Sequence, residues 1–261
     1  MKHLLILTWV LGLGLSAGTS AEILFESSFE SGAISEDEWI IDIQKQCSIG
    51  VDKQMARSGR ASARFEAGPG ARCEILPWFY SNFVTGQLRE PYNEDRWYAF
   101  SVYLDENWEY NERNEVIAQW HASKDVFLNE SGGRGPPLAL RILGNVWRLT
   151  YGWDADFRSK KGAKAIYPLW VGAIEPGKWT DWVFRVRWTR GGDDGLVQVW
   201  KDGVMVSDHQ GPIGYNDIRG NYLKLGSYHP RTDRVVFIDE VRVGDEDESY
   251  ESMKPRKNDE P

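Results

Sequence analysis

The segment 114–122, NEVIAQWHA, reads as a strand. Its alternation puts Val116, Ala118 and Trp120 on an apolar side and Gln119 and His121 on the other. A histidine there is either hydrogen-bonded filler or a base working near neutral pH. In 221–229, NYLKLGSYH, Leu223 and Leu225 alternate with Tyr222, Lys224, Gly226 and Tyr228. In 71–76, Cys73 and Ile75 oppose Arg72 and Glu74. In 178–189, Trp182, Phe184, Val186 and Trp188 oppose Val183, Arg185 and Arg187, and Arg141 of 137–143 joins this set of cations. A solvated face is the ordinary account of any one such strand. Such a face is normally rich in Glu, Lys, Thr and Ser, whereas Arg, Lys, His, Gln and Tyr are good partners for an anion. On one curved sheet they would converge on a cationic strip. There an imidazole can serve as a base, and guanidinium and amide groups can neutralise negative charge.

The elements that must position these residues are strands. Short alternating segments broken by Gly, Asn, Asp and Pro recur over 22–29, 38–43, 61–67, 71–76, 96–104, 115–122, 137–143, 146–152, 178–189, 195–202, 203–208, 221–229 and 234–243. No long helix intervenes, so the expected fold is all-β: antiparallel sheets in a sandwich or jelly roll. Asp202-Gly203 marks a two-residue hairpin. A longer loop over 123–137 follows the QWH strand directly, and loops on rigid sheets often carry function.

The chain has 261 residues. Residues 1–21 have the layout of a signal peptide: one lysine, an apolar run, then small residues. The apolar run falls short of the roughly 20 residues a spanning helix needs. The expectation is therefore a secreted or periplasmic protein, with no membrane attachment after cleavage, whose single β domain covers 22–243. The tail 244–261 is acidic and expected to be flexible. With 31 Lys+Arg against 39 Asp+Glu the net charge is −8, which argues against nucleic acid as partner. Cys47 and Cys73 are the only cysteines, and in an exported chain such a pair most often forms one disulfide. The 13 tryptophans suit both sandwich cores and sugar stacking, and most are expected in the core. Asn129 opens a glycosylation sequon.

Taken together, QWH, the Arg72-x-Glu74 pair, GKWTDWVFRVRWT, VQVWKDG and YLKLGSYH resemble polysaccharide lyases of the heparin-lyase-I and glucuronan-lyase type. The likeness covers roughly residues 24 to 243. It implies a concanavalin-like β-jelly-roll with a concave substrate groove, and β-elimination from an anionic, uronate-containing polysaccharide. It also implies His121 as general base and Tyr228 as the proton donor to the leaving oxygen. Arg72 and Gln119 are implied to hold the uronate carboxylate. Lys224, Tyr222, Arg185, Arg187, Arg141 and Glu74 are expected to contact substrate. Heparin lyases of this type are considerably longer, so the shorter glucuronan-lyase-like members look nearer. The acidic chain then favours an unsulfated polyuronate such as glucuronan or alginate. The chemistry itself requires no cofactor. Calcium occurs in the family, and Glu26, Asp239 and Asp245, acidic residues near the two ends of the fold, are a suggestion for a structural ion.

Two other functions fit a sandwich. A carbohydrate-binding, lectin-like module needs no paired base and acid. A glycoside hydrolase needs two facing carboxylates, and Asp239 and Glu240 fall on opposite faces of their strand. A monomer is expected.

Overall fold

The computed structural model describes residues 20–78, 90–130, 135–159 and 165–258. The expected signal segment, except its last two residues, lies outside them. The architecture is two packed eight-stranded sheets. The back sheet runs in the order β13 (Val204–Gln210), β12 (Leu196–Lys201), β11 (Trp179–Arg187), β6 (Asp95–Leu104), β16 (Arg234–Gly244), β4 (Ser62–Ala67) and β3 (Cys47–Asp52), with β1 (Ile23–Ser27) also paired to β16. The front sheet runs β10 (Ala165–Ala173), β9 (Val146–Asp154), β8 (Leu138–Leu143), β7 (Glu115–His121), β15 (Tyr222–Tyr228), β5 (Arg72–Pro77) and β2 (Trp39–Gln44). All these pairings are antiparallel; the two-residue β14 (Gly214–Tyr215) adds one parallel bridge to β9.

Period-2 alternation builds the core. Trp120 and Trp147 of the front sheet meet Phe184 and Trp182 of the back sheet, at ring-centroid distances of 4.7 and 5.4 Å. Such pairs add about 0.5–1.5 kcal/mol each beyond the area they bury. Six tryptophans are buried, and Trp78 is the exposed one among the described residues. The Asp202-Gly203 hairpin has φ of 50° and 85°, the double positive that a tight two-residue turn requires. Cys47 and Cys73 form a disulfide that links β3 in the back sheet to β5 in the front sheet.

Two expectations need correction. β10 went unread because Pro168 interrupts it; it is an edge strand whose register shifts between Pro168 and Trp170, where proline is tolerated. The tail, expected to be flexible, is docked as far as it is described. A short helix α1 (Tyr250–Met253) starts at Ser249 with a capping box. Met253 is buried against Trp97, Ala99 and Val183 on the outer side of the back sheet, and the Arg242 guanidinium donates to the Lys254 carbonyl at 2.8 Å. Among the described residues no helix is long and apolar enough to cross a membrane.

Candidate active site

Three adjacent front-sheet strands, β7, β15 and β5, send apolar residues inward: Trp120 and Ala118, Leu223 and Leu225, Ile75 and Cys73. Their other residues share the outer face. The register sets Tyr222 opposite His121 and Lys224 opposite Gln119. It sets Gly226 opposite Glu74 and Tyr228 opposite Arg72. Gly226 is required: with φ of 142°, a Cβ there would lie 2.1 Å from the Cys73 carbonyl oxygen.

Glu74 is the centre. Its side chain is 2% exposed, and it accepts hydrogen bonds from Gln119 Nε2 and from Arg72 Nη1, the latter at 2.8 Å. Lys224 Nζ is 3.8 Å away. Burial raises the Glu74 pKa, and Lys224, Gln119 and Arg72 oppose that rise. Asp42 of β2, opposite Glu74, accepts from Lys224 Nζ and lies 3.5 Å from Arg72 Nη1. The Arg72 guanidinium carbon stands 4.1 Å from the Tyr228 ring centroid, a cation–π contact, and its buried Nε has no partner.

His121 is half-buried at the β7 end of the cluster. Its Nδ1 lies 2.8 Å from the Ala122 carbonyl oxygen and 3.2 Å from Tyr222 Oη. A carbonyl oxygen only accepts, so Nδ1 carries the proton and Nε2 keeps the lone pair that a base needs. Tyr228 lies on the same face, in the row of Val116, five residues of strand from His121 and roughly 16 Å along it. The phenol in contact with His121 is thus Tyr222, and Tyr228 stands at the opposite end of the cluster.

The sheet brings together Arg72, Glu74, Gln119, His121, Tyr222, Lys224 and Tyr228, and Arg141 on β8 shares their face. It does not bring Arg185 and Arg187. These stand on β11 in the back sheet, where both bind Asp95; the Arg187 Nε contact is 2.7 Å. Alternation sorted them onto a polar face correctly, but a sandwich has two such faces. Glu26, Asp239 and Asp245 do not gather around one point either. Glu26 pairs with Arg242 and Arg256. Asp239 accepts the backbone N–H groups of Arg57, Ser58 and Glu240. Asp245 accepts that of Asp247. These residues do not fit a shared cation. Elsewhere, carboxylate oxygens of Asp125, Glu130 and Asp217 lie within 4.8 Å of one another, all buried. Asp125 and Glu130 accept from Ile218, Asp125 and Ser159 backbone N–H groups, tying three loops together beyond the His121 end of β7.

Two residues of the cluster escaped the sequence reading. Asp42 lies in WIIDIQ, where flanking isoleucines suggest a core strand; β2 is instead an edge with Ile41 and Ile43 exposed. His229 reads as a turn residue, yet its ring lies against that of Tyr228, with centroids 3.9 Å apart and planes at 39°. Burial lowers its pKa, helped by Arg72, Arg231 and Lys45. Its positive φ of 60° runs against the extended backbone that the following Pro230 favours, so neither its conformation nor its place beside the cluster was legible from the sequence.

Two antiparallel sheets packed face to face, with this topology, define a jelly-roll sandwich. A family model described as polysaccharide lyase matches residues 29–242, and the chain belongs to that family. Among solved structures it is similar to an endo-beta-1,4-glucuronan lyase from the fungus Trichoderma reesei, at 18% identity and a TM-score of 0.74, covering 90% of this chain and 100% of that one. It is also similar to alginate lyase A1-II', a member of polysaccharide lyase family-7, at 11% identity and a TM-score of 0.57, covering 81% and 96%. The cellulose-induced protein Cip1 matches at 15% identity and a TM-score of 0.55, covering 84% and 96%. At these identities the likeness speaks to the fold. Comparison with curated proteins gave no match.

Proposed function

We propose that this polysaccharide lyase cleaves an unsulfated polyuronate, such as glucuronan or alginate, by β-elimination across the outer face of the front sheet. The observation that carries this reading is the convergence of Arg72, Lys224 and Gln119 between a histidine and a tyrosine on one face. The C5 proton of a uronate is weakly acidic because its removal places negative charge beside a carboxylate. Arg72 and Lys224 neutralise that carboxylate, and Glu74 fixes the Gln119 amide and the Arg72 fork in place. Asp42, whose side chain is 31% exposed, is the carboxylate that yields to the substrate's own. Nε2 of His121 takes the C5 proton, and the Tyr228 phenol protonates the departing C4 oxygen as the C4–C5 double bond forms. Tyr222 holds the imidazole. Glu74 and Asp42 do not form a hydrolase pair: Glu74 is sealed beneath Gln119 and both are tied to cations.

The test is incubation with glucuronan, polymannuronate, polyguluronate and heparin, with unsaturated ends read by ultraviolet absorbance against total reducing ends. A lyase of this kind gives both in equal number on at least one unsulfated polymer. His121→Ala and Tyr228→Phe should each lower turnover by about 10²–10⁴-fold while the fold persists. Reducing ends without unsaturation, or full activity in either variant, would overturn the assignment.

A further inference from the structure

Arg141 and Arg148 are direct cross-strand partners on β8 and β9. Their neighbours Leu140, Ile142, Trp147 and Leu149 fill the core, so both guanidiniums project from the outer face that carries the lyase cluster. Thr150, on the same face, accepts from Arg141 Nε at 3.2 Å. Asn114 Oδ1 lies 3.4 Å from Arg148 Nη1. Neither arginine has a carboxylate within ion-pair distance among the described residues. Like charges directly opposite on a sheet destabilise it. In a chain with eight more acidic than basic side chains, leaving two such cations without a counter-charge needs a reason. Burial and the facing Arg148 both press the Arg141 pKa down.

Register gives the pair its place. Arg148, Arg141, Val116, Tyr228, Arg72 and Gln44 are successive partners across β9, β8, β7, β15, β5 and β2. They form one row perpendicular to the strands. We infer that Arg141 and Arg148 form a distal subsite for the carboxylate of a second uronate in the same chain, with the polymer crossing the strands parallel to this row, on its His121 side. Three strand spacings separate Arg141 from Arg72, about 14 Å, and four separate Arg148, about 19 Å. A 1,4-linked pyranose advances by about one strand spacing, so the subsite meets the uronate three to four sugars from the one held by Arg72. The inference rests on the polyuronate reading above and adds to it a polymer direction and a minimum length.

Binding of oligouronates of two and six sugars, by calorimetry in the His121→Ala background so that turnover does not consume them, decides the matter. The six-sugar ligand should bind at least tenfold more tightly than the two-sugar one, and high salt should erode the difference. In Arg148→Gln and Arg148→Met the difference should shrink to the two- or threefold expected from the larger number of binding frames. Both variants should unfold at the same or a higher temperature than the parent, since a like-charge contact is relieved. A full length dependence in the variants, or none in the parent, would overturn the subsite. If no polyuronate yields unsaturated ends while length-dependent binding still tracks Arg148, the elimination reading falls and the subsite stands.

Discussion

Glu74→Gln removes one charge and keeps the shape of the side chain. The Glu74 oxygens accept from Gln119 Nε2 and from Arg72 Nη1. A glutamine offers one acceptor oxygen, so its amide nitrogen must face one of these donors. One charge-assisted hydrogen bond is lost, worth about 1.5–3 kcal/mol. That corresponds to about 10- to 100-fold in any step that depends on where the donor points. Stability should move less. Burial outweighs Lys224, Gln119 and Arg72 and raises the Glu74 pKa above its ordinary 4.5, so the fold disfavours the charged form. The folded state then holds the proton more tightly than the unfolded chain. Wild-type stability accordingly declines as pH rises from 4.5 through the folded pKa, and the variant lacks that decline. At neutral pH we expect Glu74→Gln to unfold in urea within about 1 kcal/mol of wild type, followed by tryptophan fluorescence, with kcat/KM lowered by about 10- to 100-fold. Loss of several kcal/mol would show that the carboxylate carries the fold. Unaltered release of unsaturated ends would show that the donors do not need it. Either result refutes the reasoning.

Arg185→Gln and Arg187→Gln, on the back sheet, should leave KM for the polymer within about twofold of wild type; a tenfold rise would mean that substrate wraps around the sandwich. Reducing the Cys47–Cys73 disulfide, which closes a separation of 26 residues, should cost about 3.5 kcal/mol in the chain-entropy model. An unchanged urea midpoint under reductant would remove that role. Burial lowers the pKa of His209, whose ring packs on Tyr151 at 4.3 Å. A lowered folded pKa stabilises above the ordinary 6.5 and loses that contribution as pH falls below it. Thermal midpoints should therefore fall on acidification below 6.5, and less steeply in His209→Phe; parallel curves for the two proteins would assign the pH dependence elsewhere.

What the sequence made legible, and what it hid, follows one physical line. Alternation along a strand is local, so the faces of β5, β11 and β15 could be sorted residue by residue, and the buried set Trp182, Phe184, Val186, Leu223 and Leu225 came out intact. Even so, β7 carries a register shift against β8 between Val116 and Ala118 that places Ile117 and Ala118 both in the core and breaks strict alternation there. Which strands neighbour which is not local. Nothing in VFRVR says that its arginines belong to a different sheet from Arg72, and nothing in WIIDIQ says that Asp42 will stand opposite Glu74. The distance between His121 and Tyr228 is hidden for the same reason, because the spacing of QWH and KLGSY within their own strands says nothing of the register between them. The pairing of Tyr222 with His121 fixes it, and from it comes the geometry of the site: an imidazole held by one phenol, a second phenol at the far end, and a web of two cations and two carboxylates between them. A substrate that brings its own carboxylate can enter such a web by exchange with Asp42. A neutral sugar has nothing to exchange, so under the proposed function the resting charge balance of the site itself favours uronates.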